Sequence, residues 1–227
     1  MSVMLSDQRA LLPFGTRPAR YQALCRQVEV LLGQMTLEEK IGQMNQVAGS
    51  RDTTGAPANT DIEADVRSGR VGSVFNAFGV EFTRELQRQA VEHSRLGIPL
   101  LFGYDIIHGF RTIFPIPLGQ AASWHMEGIE QAARIMAVEG AAAGVHWTFA
   151  PMVDIARDPR WGRVMEGAGE DTHLTSLIAR AQVRGIQGRD PGAPDTLAAC
   201  VKHYAAYGAV EAAVCYTHLT LPTIYSV

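Results

Sequence analysis

The chain has 227 residues, 47% of them hydrophobic and 19% charged, and a formal net charge of −3 at pH 7. That is apolar material for one large domain or two small ones, and it excludes a disordered or fibrous chain. With no basic stripe, a nucleic-acid partner is not expected. Cys25, Cys200 and Cys215 are odd in number and far apart, which excludes a disulfide framework and a C-x-x-C metal site.

Residues 1–18 read as an N-terminal extension. The opening MSVMLSDQRALLPFGTRPAR has charges and prolines where the apolar stretch of a signal peptide would sit, which points to the cytoplasm. No apolar run reaches membrane length, so no membrane partner is expected. From Ala19 to Met35 the apolar residues Leu24, Val28, Leu31, Leu32 and Met35 recur at helical spacing. Thr36 with Glu39 three residues on predicts a capping box, in which hydroxyl and carboxylate each satisfy an orphan backbone N–H; it opens a second helix through Met44. VGSVFNAF (71–78) is β-branched and aromatic between turn residues and reads as a strand. An amphipathic helix follows over 81–96. IPLLFGYDI (98–106) is nearly continuous apolar sequence, the pattern of a strand buried on both faces. Residues 126–144 read as a helix stopped by Gly144, 145–155 as a strand, 172–188 as a helix and 196–208 as a strand with a polar end.

This alternation predicts βαβ units around a parallel sheet. Polar residues gather where strands end: Asp105 and His108, then Asp154 to Arg163, then Lys202 and His203. In a (β/α)₈ barrel only the loops at the C-terminal strand ends are free to form a site. A doubly wound sheet would want a Gly-rich phosphate turn after an early strand. EGAGED (166–171) comes nearest, but it follows a long loop.

Each cluster has two readings. Asp105 either caps the next turn or presents a carboxylate to a polyol, and His108 either bonds backbone or lines the same mouth. In DIARDPRWGRVMEGAGED (154–171), Arg157, Arg160, Arg163, Glu166, Glu170 and Asp171 surround Trp161. Such a set either ties down a long loop or binds sugar, with planar polar groups on hydroxyls and a ring on an apolar sugar face. Lys202 cannot enter an apolar core unpaired, so it is expected at the strand end. Asp105, His108, Asp154 and His203 are ligand types a metal accepts, but without H-x-H or H-E-x-x-H, and with a lysine alongside, no metal is expected. There is no G-x-S-x-G, and Cys200 lies in an apolar strand where a thiol stays protonated.

In order, MTLEEKIGQM, IPLLFGYDIIHG, FPIPLGQAASW, FAPMVDIARDPRWGRVMEGAGED and VKHYAAYGAVEA resemble the N-terminal barrel of glycoside hydrolase family 3, near its bacterial β-glucosidases. The resemblance runs from about Ala19 to Ala212. It implies a partial TIM (β/α)₈ barrel of roughly the first five βα units, no cofactor and a small carbohydrate substrate, a β-glucoside or oligosaccharide. It implies that Asp105, Arg163, Lys202 and His203 bind a terminal glucosyl unit, with Asp154 and Glu166 orienting the arginines and His108 nearby. Lys-His-Tyr-Ala-Ala-Tyr-Gly resembles the glucosidase and xylosidase branch rather than the N-acetylglucosaminidase branch. The family includes periplasmic and secreted members. Its nucleophile, an Asp in an S-D-W-like motif, and its acid/base Glu match no residue here. No catalytic residue is therefore assigned within the chain, and the chain alone is expected to be inactive. β-Xylosidase activity and a non-catalytic sugar-binding barrel are the alternatives.

Residues 213–227 depart from the family pattern. YTHLTLPT resembles one reading frame of a transposase sequencing adaptor, so this tail is expected to be foreign to the domain.

Overall fold

Five short strands lie side by side in chain order: β1 (Gln46–Ala48), β2 (Ser73–Phe75), β3 (Leu101–Tyr104), β4 (Trp147–Thr148) and β5 (Ala198–Ala199). All neighbours are parallel, with Val47 opposite Val74, Val74 opposite Phe102, Tyr104 opposite Thr148 and Thr148 opposite Ala199. The structure is a computed structural model and describes residues 19–49, 61–204 and 206–209. Residues 1–18, read from the sequence as an extension, Cys215, and residues 213–227, read as a foreign tail, lie outside the described residues.

Parallel neighbours need crossovers, and each connection carries a helix. α1 (Ala19–Gln34) and α2 (Leu37–Met44) precede β1; α3 (Ile62–Arg67) joins β1 to β2 and α4 (Val80–His93) joins β2 to β3. α5 (Pro117–Ser123) and α6 (Met126–Ala142) lie between β3 and β4, and α7 (Thr172–Gln187) between β4 and β5. This is the expected α/β architecture, the first five units of a (β/α)₈ barrel.

Local chemistry sets the ends. Thr36 and Glu39 form the predicted capping box: Glu39 N donates to Thr36 Oγ1 at 3.2 Å and Thr36 N to Glu39 Oε2 at 2.9 Å. The Arg95 side chain binds the same carboxylate, and that bond, with the Thr36 N–H, holds the Glu39 carboxyl at about 2. α6 gives way at Gly144, whose φ of 87° suits a residue without Cβ. Asp171 caps α7 by accepting from Leu174 N at 2.6 Å.

One apolar cluster packs Val66 of α3 and Leu86 and Ala90 of α4 on Val74 and Phe102. A second packs Ala133, Met136 and Ala137 of α6 and Ile186 of α7 on Ile106, Val145, Ala150 and Leu197. Phe102 and Leu86 are fully buried, each contributing roughly 1.5–3 kcal/mol. The strand at 98–106 is not buried on both faces as the sequence suggests. Successive side chains alternate: Phe102 meets α4, while Leu101 points away from the helices and is 56% exposed. Among the described residues, no helix is long and apolar enough to cross a membrane.

Candidate functional site

Parallel strands place all their C-terminal ends on one side, and the polar residues meet there. Asp105 follows β3 directly. It is the central residue of a tight turn in which Ile106 N donates to Tyr104 O at 3.1 Å. Lys202 lies just past β5. An isolated parallel bridge to Met152 seats it, with Lys202 N donating to Pro151 O at 3.0 Å and Val153 N to Lys202 O at 2.7 Å. From that seat Lys202 Nζ donates to Asp105 Oδ1 at 2.8 Å. The lysine is largely enclosed; the carboxylate is open to the mouth, its side chain 53% exposed.

The second half of the cluster comes from the long loop between β4 and α7. A single 3₁₀ turn, Val164–Glu166, brings Arg163 and Glu166 together. Arg163 donates from Nε to Glu166 Oε1 at 2.7 Å and from Nη2 to Oε2 at 2.5 Å, a two-pronged pair. The guanidinium holds the Glu166 carboxyl below its ordinary value, against the opposing effect of burial, with the Lys202 charge adding to the pull. The carboxylate in turn raises Arg163.

Arg163 Nη1 reaches His203 Nε2 and the Tyr207 hydroxyl, each at 3.5 Å, and its Cζ lies 5.5 Å from the Tyr207 ring centroid. Asp154, buried, takes two bonds from His203 on Oδ2: the backbone N–H at 3.2 Å and ring Nδ1 at 2.9 Å. A carboxylate only accepts, so Nδ1 carries the proton. The Nε2 lone pair is then left facing Arg163. Beneath this layer Trp161 is buried edge-on to Tyr207.

The structure thus brings Asp105, Arg163, Lys202 and His203 to one end of the sheet, with Asp154 and Glu166 behind them. Two details differ from the sequence reading. Asp154 orients His203 rather than an arginine, because its carboxylate lies under the backbone turn at Lys202–His203. His108 serves its own loop: Nδ1 pairs with Phe114 O at 3.0 Å beside the Gly109–Ile113 bridge. Tyr207 was not singled out from sequence. Its signal was an aromatic five residues after the lysine, in a motif rich in small residues. Arg160 pairs with Asp158 and Asp171 caps a helix, so parts of the long loop tie down structure. Among the described residues, no three His, Cys, Asp or Glu side chains gather as metal ligands do.

The arrangement alternates donors and acceptors around an open mouth: ammonium against carboxylate, guanidinium against carboxylate, imidazole against carboxylate. A ring hydroxyl both donates and accepts, so such pairs suit adjacent hydroxyls of a sugar.

Residues 36–224 match the family model described as the glycosyl hydrolase family 3 N terminal domain. The periplasmic beta-glucosidase of Salmonella typhimurium is 42% identical over 213 residues, 93% of this chain and 27% of that protein. The periplasmic beta-glucosidase/beta-xylosidase of Dickeya chrysanthemi is 30% identical over 80% of this chain and 31% of its own length. Among solved structures, the beta-glucosidase of Listeria innocua in complex with isofagomine superposes with a TM-score of 0.74 at 42% identity, over 82% of this chain and 26% of that one. The same enzyme has been solved with glucose, and a mutant of it with laminaribiose. The chain spans about a quarter to a third of the length of these relatives. By its family match, its identity to these relatives and its fold, the chain belongs to glycosyl hydrolase family 3, within that family's N-terminal domain.

Proposed function

We propose that this chain is the sugar-holding part of a retaining exo-β-glucosidase, gripping a terminal β-D-glucosyl unit. The observation that carries this reading is the convergence of Lys202–Asp105 with the Arg163–Glu166 and His203–Asp154 pairs at one strand-end face. Asp105 and Lys202 hold neighbouring ring hydroxyls, and Arg163 and His203 share the next. Glu166 and Asp154 fix the guanidinium and the imidazole, so that little side-chain entropy is lost on binding.

A retaining glycosidase needs two carboxyls, one as nucleophile and one as acid/base. The three carboxylates of the cluster already face Lys202, His203 and Arg163. Glu166, held in its charged form by Arg163, is unsuited to donating a proton. Both reacting groups are therefore assigned to other parts of the complete protein, and the chain alone binds without cleaving. A β-xylosidase reading is supported by the names of several relatives, the Dickeya one among them.

The test is hydrolysis of 4-nitrophenyl β-D-glucoside and the matching xyloside, by the chain alone and by the protein of the complete gene. The chain is expected to give no turnover above buffer and the complete protein to prefer the glucoside. In the complete protein Lys202→Ala is expected to lower kcat/KM about 100-fold or more, as lost positioning does. Turnover by the purified chain, or a Lys202→Ala variant as active as its parent, overturns the reading.

A further inference from the structure

Thr148 makes a buried, two-way polar contact beside the site. It is the last residue of β4, between Tyr104 and Ala199 in the sheet, and is 1% exposed. A buried hydroxyl costs free energy unless bonded, and this one is bonded twice to the same residue. Ile106 N donates to Thr148 Oγ1 at 3.0 Å, and Thr148 Oγ1 donates to Ile106 O at 3.2 Å. Ile106 immediately follows Asp105 and is itself 1% exposed within the α6 and α7 core. The turn that aims Asp105 is therefore closed on one side by Tyr104 O and clamped on the other by the Thr148 hydroxyl.

We infer that Thr148 is the positioning residue for Asp105: it fixes the peptide after the carboxylate and so sets where Asp105 meets Lys202 and the sugar. This rests on the site reading proposed above. Without the hydroxyl, the Ile106 carbonyl loses its Thr148 donor and the N–H keeps only the contact to Tyr104. The turn is then free to rotate, and the carboxylate swings with it. Valine has nearly the shape of threonine but neither donates nor accepts there. Serine restores both bonds and drops only a methyl.

The experiment is a cycle on the complete protein, reading the Ki of isofagomine, kcat, KM and the melting temperature. The variants are Thr148→Val, Thr148→Ser, Asp105→Asn and the double variant Thr148→Val/Asp105→Asn. Thr148→Val is expected to weaken isofagomine binding about tenfold, the size of one buried hydrogen-bonding defect. Thr148→Ser should stay within about threefold of the parent. In the Asp105→Asn background, Thr148→Val should add little, because the group it positions has been disabled. Equal losses from Val and Ser, or a full Thr148→Val effect in the Asp105→Asn background, overturn the inference and leave Thr148 a packing residue. If Asp105→Asn itself leaves isofagomine binding unchanged, the site reading fails, and this one with it.

Discussion

Arg163–Glu166 and Arg88–Glu85 are the same two residue types three positions apart, and both form two-pronged pairs of nearly equal length. Their surroundings differ. Arg88 and Glu85 sit on the exposed face of α4, where each side chain is 44% exposed. Arg163 and Glu166 are half-buried, at 21% and 25% exposed, and the guanidinium also meets His203 and Tyr207. Both carboxyls are held low by their arginine, Glu85 to about 2. The depression is therefore no guide to importance. In water an exposed pair loses in side-chain entropy and screening most of what it gains. The half-buried pair keeps a guanidinium in one orientation beside His203 and Tyr207, and its value lies in position.

This contrast breaks most decisively at Arg163. Arg163→Ala in the complete protein is expected to lower kcat/KM on an aryl β-glucoside about 100-fold or more. If steady-state kinetics give less than about tenfold, the two pairs are alike. Glu166→Gln keeps the shape and removes the charge, so about a tenfold loss is expected, mostly in KM.

The same variant sharpens the comparison through pH. The folded Glu166 value lies below the ordinary 4.5. Its contribution to stability is thus fully present above that pH and is lost as pH falls through the folded value. The melting-temperature advantage of the parent over Glu166→Gln should hold at pH 6 and shrink below about pH 4.5. An advantage that grows on acidification would reverse the assigned direction. The smallest effect is expected at the exposed pair. Arg88→Ala should leave kcat/KM unchanged and the melting temperature within about 2 °C of the parent.

Much of this was legible in the sequence because local rules and tertiary packing agreed. The Thr36–Glu39 box, the α4 and α7 stripes and the Gly144 stop all appear where spacing put them. Asp105, Lys202 and His203 stand out because they follow apolar strands, where only a strand end tolerates them; Arg163 lies in the long loop after β4 and is singled out by the family resemblance. Other features depended on partners far away in sequence. β1 is three residues, Gln46–Ala48, too short for period-2 alternation to register. α5 has little more than Pro117 at its first position to announce it. The strands read over 145–155 and 196–208 shrink to two residues each. Past Thr148 and Ala199 the backbone leaves the ladder: Cys200 N lies 3.1 Å from Thr148 O and 2.9 Å from Ala150 O. The role of Asp154 was invisible because its partner is 49 residues away.

The order of the strands carries a consequence for how the protein is made. Each strand pairs with the one synthesised just before it, so a nascent chain can add strands one at a time behind the ribosome without waiting for a distant partner. The site follows a different schedule. Asp105 and Lys202 are 97 residues apart, which at ordinary translation speeds separates their emergence by roughly 5–20 s. During that interval the Thr148 clamp can already form, since both of its halves precede β5. Asp105 is then set in place and waits, its carboxylate solvated, until the lysine that will face it leaves the exit tunnel.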